Sequence, residues 1–170
     1  MVIYCHMNEP KQQGDLFTEL IVEIFHLNAL ILGIGDRIAQ PVGLTSARWQ
    51  VLGLVEHGPI PVAHVARYMG LSRQTVQQTA DGLERDGFIT YRDNPHHRRA
   101  KLMQMTETGA QALEHVRVPQ TVWAQQIGGA HKLESLQQAL TVLRELRRQL
   151  EDDPALATSK RRIGNEAQPS

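Results

Sequence analysis

Hydrophobic residues recur every three or four positions from Leu16 to Ile38. This spacing places them along one side of an α-helix, so the sequence predicts a first helix over residues 15–40. Asp15 is a suitable N-cap because its side chain can accept a hydrogen bond from the first turn. The apolar arc is wide, and we therefore expect this helix to pack both on its own domain and on a partner.

Two glycines near the end of this helix allow two interpretations. Gly33 and Gly35 either permit the close approach of another backbone or only weaken the helix. Pro41 and Gly43 then end it.

Three shorter helices follow, and side chains that favour helix ends mark their limits. Thr45 or Ser46 can cap the first of them, Pro61 suits the start of the second, and Ser72 can cap the third. The predicted ranges are 47–57, 61–69 and 73–86. The short second helix, the tight turn at Gly70 and the polar third helix together indicate a helix-turn-helix.

The helix predicted over residues 73–86 has two chemically distinct faces. Val76, Ala80 and Leu83 recur at helical spacing and point inward. The opposite face is rich in glutamine, which, like arginine, can form two hydrogen bonds to a base edge, whereas hydroxyls can bind phosphates or bases. The candidate DNA-contacting residues here are Ser72, Arg73, Gln74, Thr75, Gln77 and Gln78. An ordinary solvated face is the alternative interpretation.

Two short β runs, residues 88–91 and 102–105, enclose a basic loop that turns at Asn94-Pro95. Arg98, Arg99 and Lys101 place three fixed positive charges near the end of this hairpin. An arginine at such a tip can enter a narrow minor groove. The fold class predicted from these elements is mainly α with a small β-hairpin wing: a winged helix-turn-helix with long additional helices.

The last third of the chain predicts two more helices. Thr106 can cap a helix that reaches about residue 126, which Pro119 would kink or divide. A final helix over residues 131–151 carries a near-heptad row of leucines, Leu133, Leu136, Leu140, Leu143 and Leu146. Too few other elements remain to bury this row and that of the first helix. We therefore infer a homodimer built from the first, fifth and sixth helices, residues 15–40 and 107–151.

Hydrophobic periodicity is weaker at the two ends of the chain. Residues 1–14 are interpreted as a flexible lead-in and residues 152–170 as a disordered tail, in which Lys160, Arg161 and Arg162 add a weak electrostatic contact. No uninterrupted apolar run approaches the roughly 20 residues of a membrane span, and no signal peptide is recognisable. A single cysteine, Cys5, suits a reducing cytoplasm.

Charge is distributed unevenly, although the formal net charge is zero. Residues 61–101 carry seven basic and four acidic side chains, net +3, whereas residues 1–60 are net −3. The positive surplus therefore falls on the predicted helix-turn-helix and its wing, and it agrees with a nucleic-acid partner without establishing one.

The sequence resembles the MarR family of bacterial transcriptional regulators, most sharply over residues 44–109. The segments that carry the resemblance are Leu44-Thr45 with Trp49 and Leu52, Val65-Ala66 through Ser72, Leu83 through Ile89, Asn94 through Leu102, and Thr106 through Gly109. The resemblance implies a cytoplasmic homodimer that binds a pseudo-palindromic double-stranded DNA operator. It further implies a repressor that a small, often aromatic or phenolic, effector releases, with no cofactor.

The resemblance also assigns residues 72–78, at the start of the third of the shorter helices, to base and phosphate contacts. It assigns Arg99 to the minor groove. Where the family usually has an aspartate that pairs with this arginine, the chain has His97. How the wing is ordered without that carboxylate stays open, with Asp93 or a backbone carbonyl as candidates. Because an imidazole is protonated in mildly acidic solution, His97 is a further candidate phosphate contact that favours DNA binding at lower pH.

The family's usual effector cleft implies that His26, Arg48 and Trp49 line a ligand pocket, although each is equally suited to packing or to the surface. An oxidant sensor based on Cys5 and a metal sensor are alternatives, but the eight histidines lack strong zinc-site spacing. No catalytic motif is recognisable, so we do not expect an enzyme. A winged helix that only binds protein is the alternative of a different class.

Overall fold

The computed structural model describes residues 12–95, 97 and 99–153. They form α-helices and a small antiparallel sheet, which confirms the predicted fold class. The helices are α1 (Gln13–Ala39), α2 (Ser46–Val55), α3 (Val62–Met69), α4 (Arg73–Arg85), α5 (Glu107–Gly128) and α6 (Leu133–Glu151). The strands are β1 (Ile60–Pro61), β2 (Ile89–Arg92) and β3 (Leu102–Met105). Backbone contacts divide the chain into two compact units, one up to Thr121 and the other from Val122.

Several predictions fall outside the described residues: most of the lead-in and of the tail, together with Cys5, Arg98, Lys160, Arg161 and Arg162. The start of α1 lies inside them and corrects the sequence interpretation. The N-cap is Gln12, and Asp15 is the third helical residue, where its carboxylate accepts a hydrogen bond from the backbone N–H of Gln12 at 3.2 Å. Asp15 therefore belongs to a capping-box arrangement, and residues 13 and 14 are helical.

The core of the first unit is the inner side of the helix-turn-helix and its sheet. Val76, Ala80 and Leu83 are at most 1% exposed, so the predicted inward row of α4 is confirmed. Leu52 from α2, Ile89 from β2 and Met103 from β3 belong to the same buried cluster. The N-terminal half of α5 joins this cluster through Ala112, Leu113 and Val116. Apolar side chains from helices and sheet thus fix where α4 lies in the unit.

Predicted helix caps are confirmed by hydrogen bonds to the first turn. The hydroxyl of Thr45 accepts from the N–H of Arg48 at 3.3 Å, and that of Ser72 accepts from Thr75 at 3.0 Å. Thr106 caps α5 by accepting from Gly109 at 3.1 Å. These hydroxyls satisfy donors that have no partner inside their own helices.

The sheet has the strand order β1–β3–β2, with all neighbours antiparallel. The predicted run over residues 102–105 is confirmed as β3, whereas β2 begins one residue later than predicted, at Ile89. The sequence missed β1, in which Ile60 pairs with Met103. A strand of two residues that ends in a proline has no periodicity to detect, and its edge position tolerates the missing N–H.

α5 starts against the sheet through a glycine and then continues past a proline. A Cβ atom at Gly109 would overlap the carbonyl oxygen of Phe88 and come within 2.9 Å of the Met105 side chain, so only glycine permits this approach. The helix runs through Pro119 without a break, so of the two predicted alternatives, a kink or a division, the division does not occur. Proline removes one helical hydrogen bond, which favours a kink but does not require the helix to end.

The apolar face of α1 is largely uncovered within the chain. Eight large apolar side chains of this helix are exposed, and together we call them the exposed apolar row: Leu16, Phe17, Val22, Phe25, Leu27, Leu30, Ile31 and Leu32. Only the C-terminal part of α1 packs on its own unit, where Gly35 and Ala39 are buried. There the Asp36 carboxylate accepts from the N–H of Ser46 at 2.6 Å.

The two glycines of α1 have different surroundings. A Cβ atom at Gly35 would lie 2.7 Å from the hydroxyl of Ser46 and 3.7 Å from the Trp49 ring, so this glycine admits α2 of the same chain. A Cβ atom at Gly33 would meet no atom of the described residues within 4 Å. The close-approach interpretation therefore applies to Gly35 within the protomer.

By length and composition, the segment Gln13–Val42 is apolar enough to cross a membrane, with a mean hydropathy of 1.7 over its most apolar window. This corrects the expectation drawn from uninterrupted apolar runs, because Glu23, His26 and Asn28 interrupt the row without making the helix polar. Such a helix near an N-terminus is weak evidence for a membrane span.

The second unit contains the end of α5 and all of α6. The leucine row of α6 is exposed within the chain at Leu133, Leu136, Leu140 and Leu143, and Leu146 is partly buried. Arg147 and Glu151 form an exposed ion pair one turn apart at 2.9 Å.

Candidate DNA-binding site

The N-terminal half of α4 carries the polar face that the sequence predicted. Arg73, Gln74, Gln77 and Gln78 are exposed on the side opposite the buried row of that helix. The hydroxyls of Ser72 and Thr75 lie 2.8 Å apart, and Ser72 also caps the helix. These two hydroxyls therefore order the first turn, and the long side chains project from it.

The wing lies beside this face and forms a groove with it of about 490 Å³. The groove brings together four of the predicted site residues, Arg73, Gln77, Arg99 and Lys101. Its remaining walls, which the sequence did not indicate, are Pro61, Val62, Ala63, Tyr91 and Ala100. Three cationic side chains on one groove are suited to the phosphates of a nucleic acid.

The backbone of the wing turn is ordered by its own hydrogen bonds. The N–H of His97 donates to the carbonyl of Asn94 at 3.2 Å, and the N–H of Ala100 donates to the carbonyl of His97 at 3.0 Å. Within residues 12–95, 97 and 99–153, no carboxylate lies within 4 Å of the Arg99 guanidinium, so neither Asp93 nor another described acid replaces the family's aspartate. His97 and Arg99 are both exposed.

A hydrogen-bonded cluster joins α4 to the wing. The amide nitrogen of Gln77 donates to the Asp81 carboxylate at 2.6 Å and to the Tyr91 hydroxyl at 2.8 Å. The Tyr91 hydroxyl donates to the same oxygen of Asp81 at 3.4 Å. Burial, reinforced by the nearby negative charge of Asp81, raises the pKa of Tyr91 to about 12. The phenol therefore stays protonated at physiological pH and can hold both partners.

The opposite end of α4 is held by Arg48, one of the predicted ligand-pocket residues. Its guanidinium donates to the carbonyl of Gly82 at 2.7 Å and to that of Gly43 at 3.2 Å, and it forms an ion pair with the Asp86 carboxylate. The same group lies 5.6 Å from the centre of the Phe88 ring. A cation bound to the last carbonyls of a helix stabilises that end. Arg48 thereby fixes α4 against α2.

The other two predicted pocket residues lie apart from each other. Trp49 is partly buried next to Gly35, whereas His26 is exposed on α1. Nine helical residues separate His26 from Gly35, which corresponds to about 14 Å along the helix axis. Their assignment to a common ligand pocket stays a prediction. In the described part of the chain, no group of three His, Cys, Asp or Glu side chains is arranged to hold a metal ion.

Comparison with known proteins agrees with this geometry. A model of the MarR family matches residues 42–100, which include α2, α3, α4 and most of the wing. An uncharacterised protein of Mycobacterium tuberculosis is 35% identical over 103 residues, which represent 61% of this chain and 72% of that protein.

Solved structures of MarR-family regulators share the fold. A regulator from Streptomyces coelicolor is 27% identical, with a TM-score of 0.66, over 79% of this chain and 95% of its own. A mutant MarR from E. coli, complexed with operator DNA, has a TM-score of 0.71 at 16% identity, over 80% of this chain and 99% of its own.

Proposed function

The chain belongs to the MarR family and is a DNA-binding transcriptional regulator, and from this premise we propose that it acts as a homodimeric repressor. In this proposal a small, aromatic or phenolic effector releases the repressor from a pseudo-palindromic operator in the bacterial cytoplasm. The observation that carries the DNA-binding site is the groove in which Arg73 and Gln77 of α4 meet Arg99 and Lys101 of the wing.

Each part of this groove has a distinct task in the proposed complex. α4 enters the major groove, where Gln74, Gln77 and Gln78 reach base edges and Arg73 reaches a base or a phosphate. The wing follows the backbone, and Arg99 enters the adjacent minor groove, to which its exposed guanidinium is suited. Lys101 and the exposed His97 supply phosphate contacts.

The exposed apolar row of α1 supports the homodimer. Eight large apolar side chains on one helix would otherwise remain in water, and burying them against a second copy gains about 25 cal/mol for each Å². A twofold dimer presents two recognition helices, which accounts for a pseudo-palindromic operator with half-sites about one DNA turn apart. The leucine row of α6 is a second candidate surface for the same association.

Release by an effector rests on family membership. His26, Arg48 and Trp49 remain the candidate ligand residues. Of these, Arg48 connects effector binding to α4, because a ligand that displaces its guanidinium would loosen the C-terminal end of that helix. An oxidant or a metal as the signal is the competing proposal for the same fold.

Binding to DNA from the protein's own promoter region, measured by fluorescence anisotropy against a scrambled duplex, tests the proposal. Arg99→Ala should weaken binding by about 1–3 kcal/mol and reduce the salt dependence by roughly one counterion. Arg144→Ala, which removes an equally charged exposed residue from α6, is the matched control and should leave affinity unchanged. Equal affinity of Arg99→Ala and the wild type would remove the wing from the site.

Two further measurements test the finer points. Deleting the gene should raise transcription from the bound promoter, and a fall would identify an activator instead. Phenolic acids, zinc and peroxide, added separately to the protein–DNA complex, distinguish the three classes of signal. A folded dimer that binds no DNA even at low salt would favour a protein-interaction module.

A further inference from the structure

We infer that Gln77 reads DNA through its carbonyl oxygen alone, so that its base partner is an exocyclic amino group, N6 of adenine or N4 of cytosine. Tyr91 and Asp81 are positioning residues in this inference, because they occupy both amide hydrogens of Gln77. The inference rests on the proposed placement of α4 in the major groove and specifies what one position of that helix recognises.

The orientation of the Gln77 amide follows from the chemistry of its neighbours. An ionised carboxylate only accepts hydrogen bonds, so the Gln77 atom 2.6 Å from the Asp81 oxygen must be the amide nitrogen. The same nitrogen lies 2.8 Å from the Tyr91 hydroxyl, which donates its own hydrogen toward Asp81 and accepts from Gln77. The nitrogen has two hydrogens, and both are used.

The carbonyl oxygen of Gln77 remains available. It accepts no hydrogen bond from any residue of the described chain, and the side chain is exposed on the groove that Arg73 and Arg99 also line. Gln74 and Gln78 are likewise exposed, and within the described residues neither donates its amide hydrogens to a side chain. Gln77 therefore differs from Gln74 and Gln78 in having its amide hydrogens occupied, and this determines which base atoms it can bind.

The consequence concerns specificity. A free glutamine recognises adenine with two bonds, accepting from N6 and donating to N7, and it can also donate to the acceptors of guanine or thymine. With its donors occupied, Gln77 can only accept, and in the major groove only adenine and cytosine offer a donor. On the strand that it faces, Gln77 should accept adenine or cytosine and disfavour guanine and thymine.

The test begins with selection of binding sites from random duplexes at constant salt. Comparing the wild type with Gln77→Ala identifies the base pair whose preference depends on Gln77. Two modified duplexes then separate the atoms of that pair: one lacks the exocyclic amino group, and the other has a 7-deaza purine, which lacks N7. Wild-type affinity should fall roughly tenfold without the amino group and change by less than about twofold without N7.

The variant Tyr91→Phe makes the positioning role measurable. Removing the hydroxyl frees one amide hydrogen of Gln77, so this variant should lose affinity for the 7-deaza duplex, whereas the wild type does not. Tyr68→Phe, at a tyrosine that is 79% exposed on α3, is the control and should behave like the wild type. A purely structural role of Tyr91 would weaken binding to all duplexes equally.

The inference is overturned if wild-type binding depends on N7 as strongly as on the amino group, or if the Gln77-dependent base is guanine or thymine. It is also overturned if Gln77→Ala changes no preference in a protein that still binds, or if Tyr91→Phe gains no dependence on N7. Failure of the proposed function gives a different result, because the folded wild type would then bind none of the duplexes at low salt.

Discussion

The recognition helix α4 and the first helix α1 carry apolar rows of similar spacing, but the folded chain treats these rows differently. In α4 the row is fully buried, with Leu83 at 0% exposure, because α2, α3 and the sheet surround it. In α1, three members of the predicted row, Leu16, Leu27 and Ile31, are 51%, 50% and 44% exposed. Helical periodicity therefore shows which side of a helix is apolar, but it does not show whether the same chain or another molecule covers that side.

The comparison has a functional side. The winged lobe, residues 44–109, has its own buried core and can present a polar face to a ligand. α1 ends in such a core but leaves most of its length to be covered from outside, which is the property expected of an association surface.

The double substitution Phe25→Glu with Leu30→Glu tests whether α1 is covered by a second copy. In a twofold interface it introduces four buried charges, so the dimer dissociation constant should rise roughly 1000-fold, about 4 kcal/mol. Sedimentation velocity measures the change, and Asn28→Glu, an exposed polar position on the same helix, serves as the control. A double variant that remains dimeric at nanomolar concentration would show that the exposed apolar row is not the interface.

A matched pair of leucines tests the two helices directly. Leu83→Ala should lower the free energy of unfolding by about 3 kcal/mol, because it leaves a cavity in a filled core. Leu30→Ala should cost less than about 0.5 kcal/mol in the dissociated protomer, with a loss that grows as protein concentration favours association. Urea unfolding at several protein concentrations gives both values. A concentration-independent loss of similar size at both sites would contradict the contrast.

A pair of glycines extends the test to the backbone. Gly109→Ala places a methyl group against the carbonyl of Phe88 and should destabilise the protein by about 2 kcal/mol. Gly33→Ala meets empty space within the chain and should stabilise α1 by up to about 1 kcal/mol through helix propensity. Thermal unfolding distinguishes the two signs. Destabilisation by Gly33→Ala that appears only in the associated state would place a partner backbone at this glycine.

The smallest effect concerns Tyr91 in the winged lobe. Its pKa is raised from 10.0 to about 12, so the folded state holds the phenolic proton more tightly than the unfolded chain does. The associated stability is complete below pH 10 and is lost as the pH rises through about 12; for this partly exposed side chain we expect about 1 kcal/mol after screening. Absorbance titration of tyrosinate should show a late step that Tyr91→Phe removes. A single step near pH 10 would contradict the raised pKa.

Sequence reasoning succeeded where the relevant interactions are local. The caps at Ser72 and Thr106 and the inward row of α4 depend on residues within a few positions of one another, and all of them were predicted. Tyr91 was missed as a partner of Gln77 because its position depends on the register of β2 with β3, and 14 residues separate the two side chains. No spacing rule connects such positions.

The role of Arg48 also depends on a contact between residues that are distant in sequence. Family resemblance suggested a ligand pocket, but the side chain reaches Gly82, 34 residues away, and stabilises the end of α4. The start of α1 was placed too late because Asp15 suits both an N-cap and the third helical position, and only the backbone bond to Gln12 distinguishes them. The sequence of one chain does not determine whether a second copy covers the apolar side chains of α1, because another molecule would make those contacts.

The contacts of Arg48 also bear on how this regulator can evolve. Its guanidinium satisfies two backbone carbonyls and one carboxylate at once, a combination that the single ammonium of lysine cannot reproduce. In the proposed DNA complex, substitutions on the exposed side of α4, at Gln74 or Gln78, change base recognition without removing these Arg48 contacts. On that proposal, one operator can be exchanged for another while α4 keeps the same orientation. Arg48, which holds this orientation, lies outside the set of residues predicted to contact DNA.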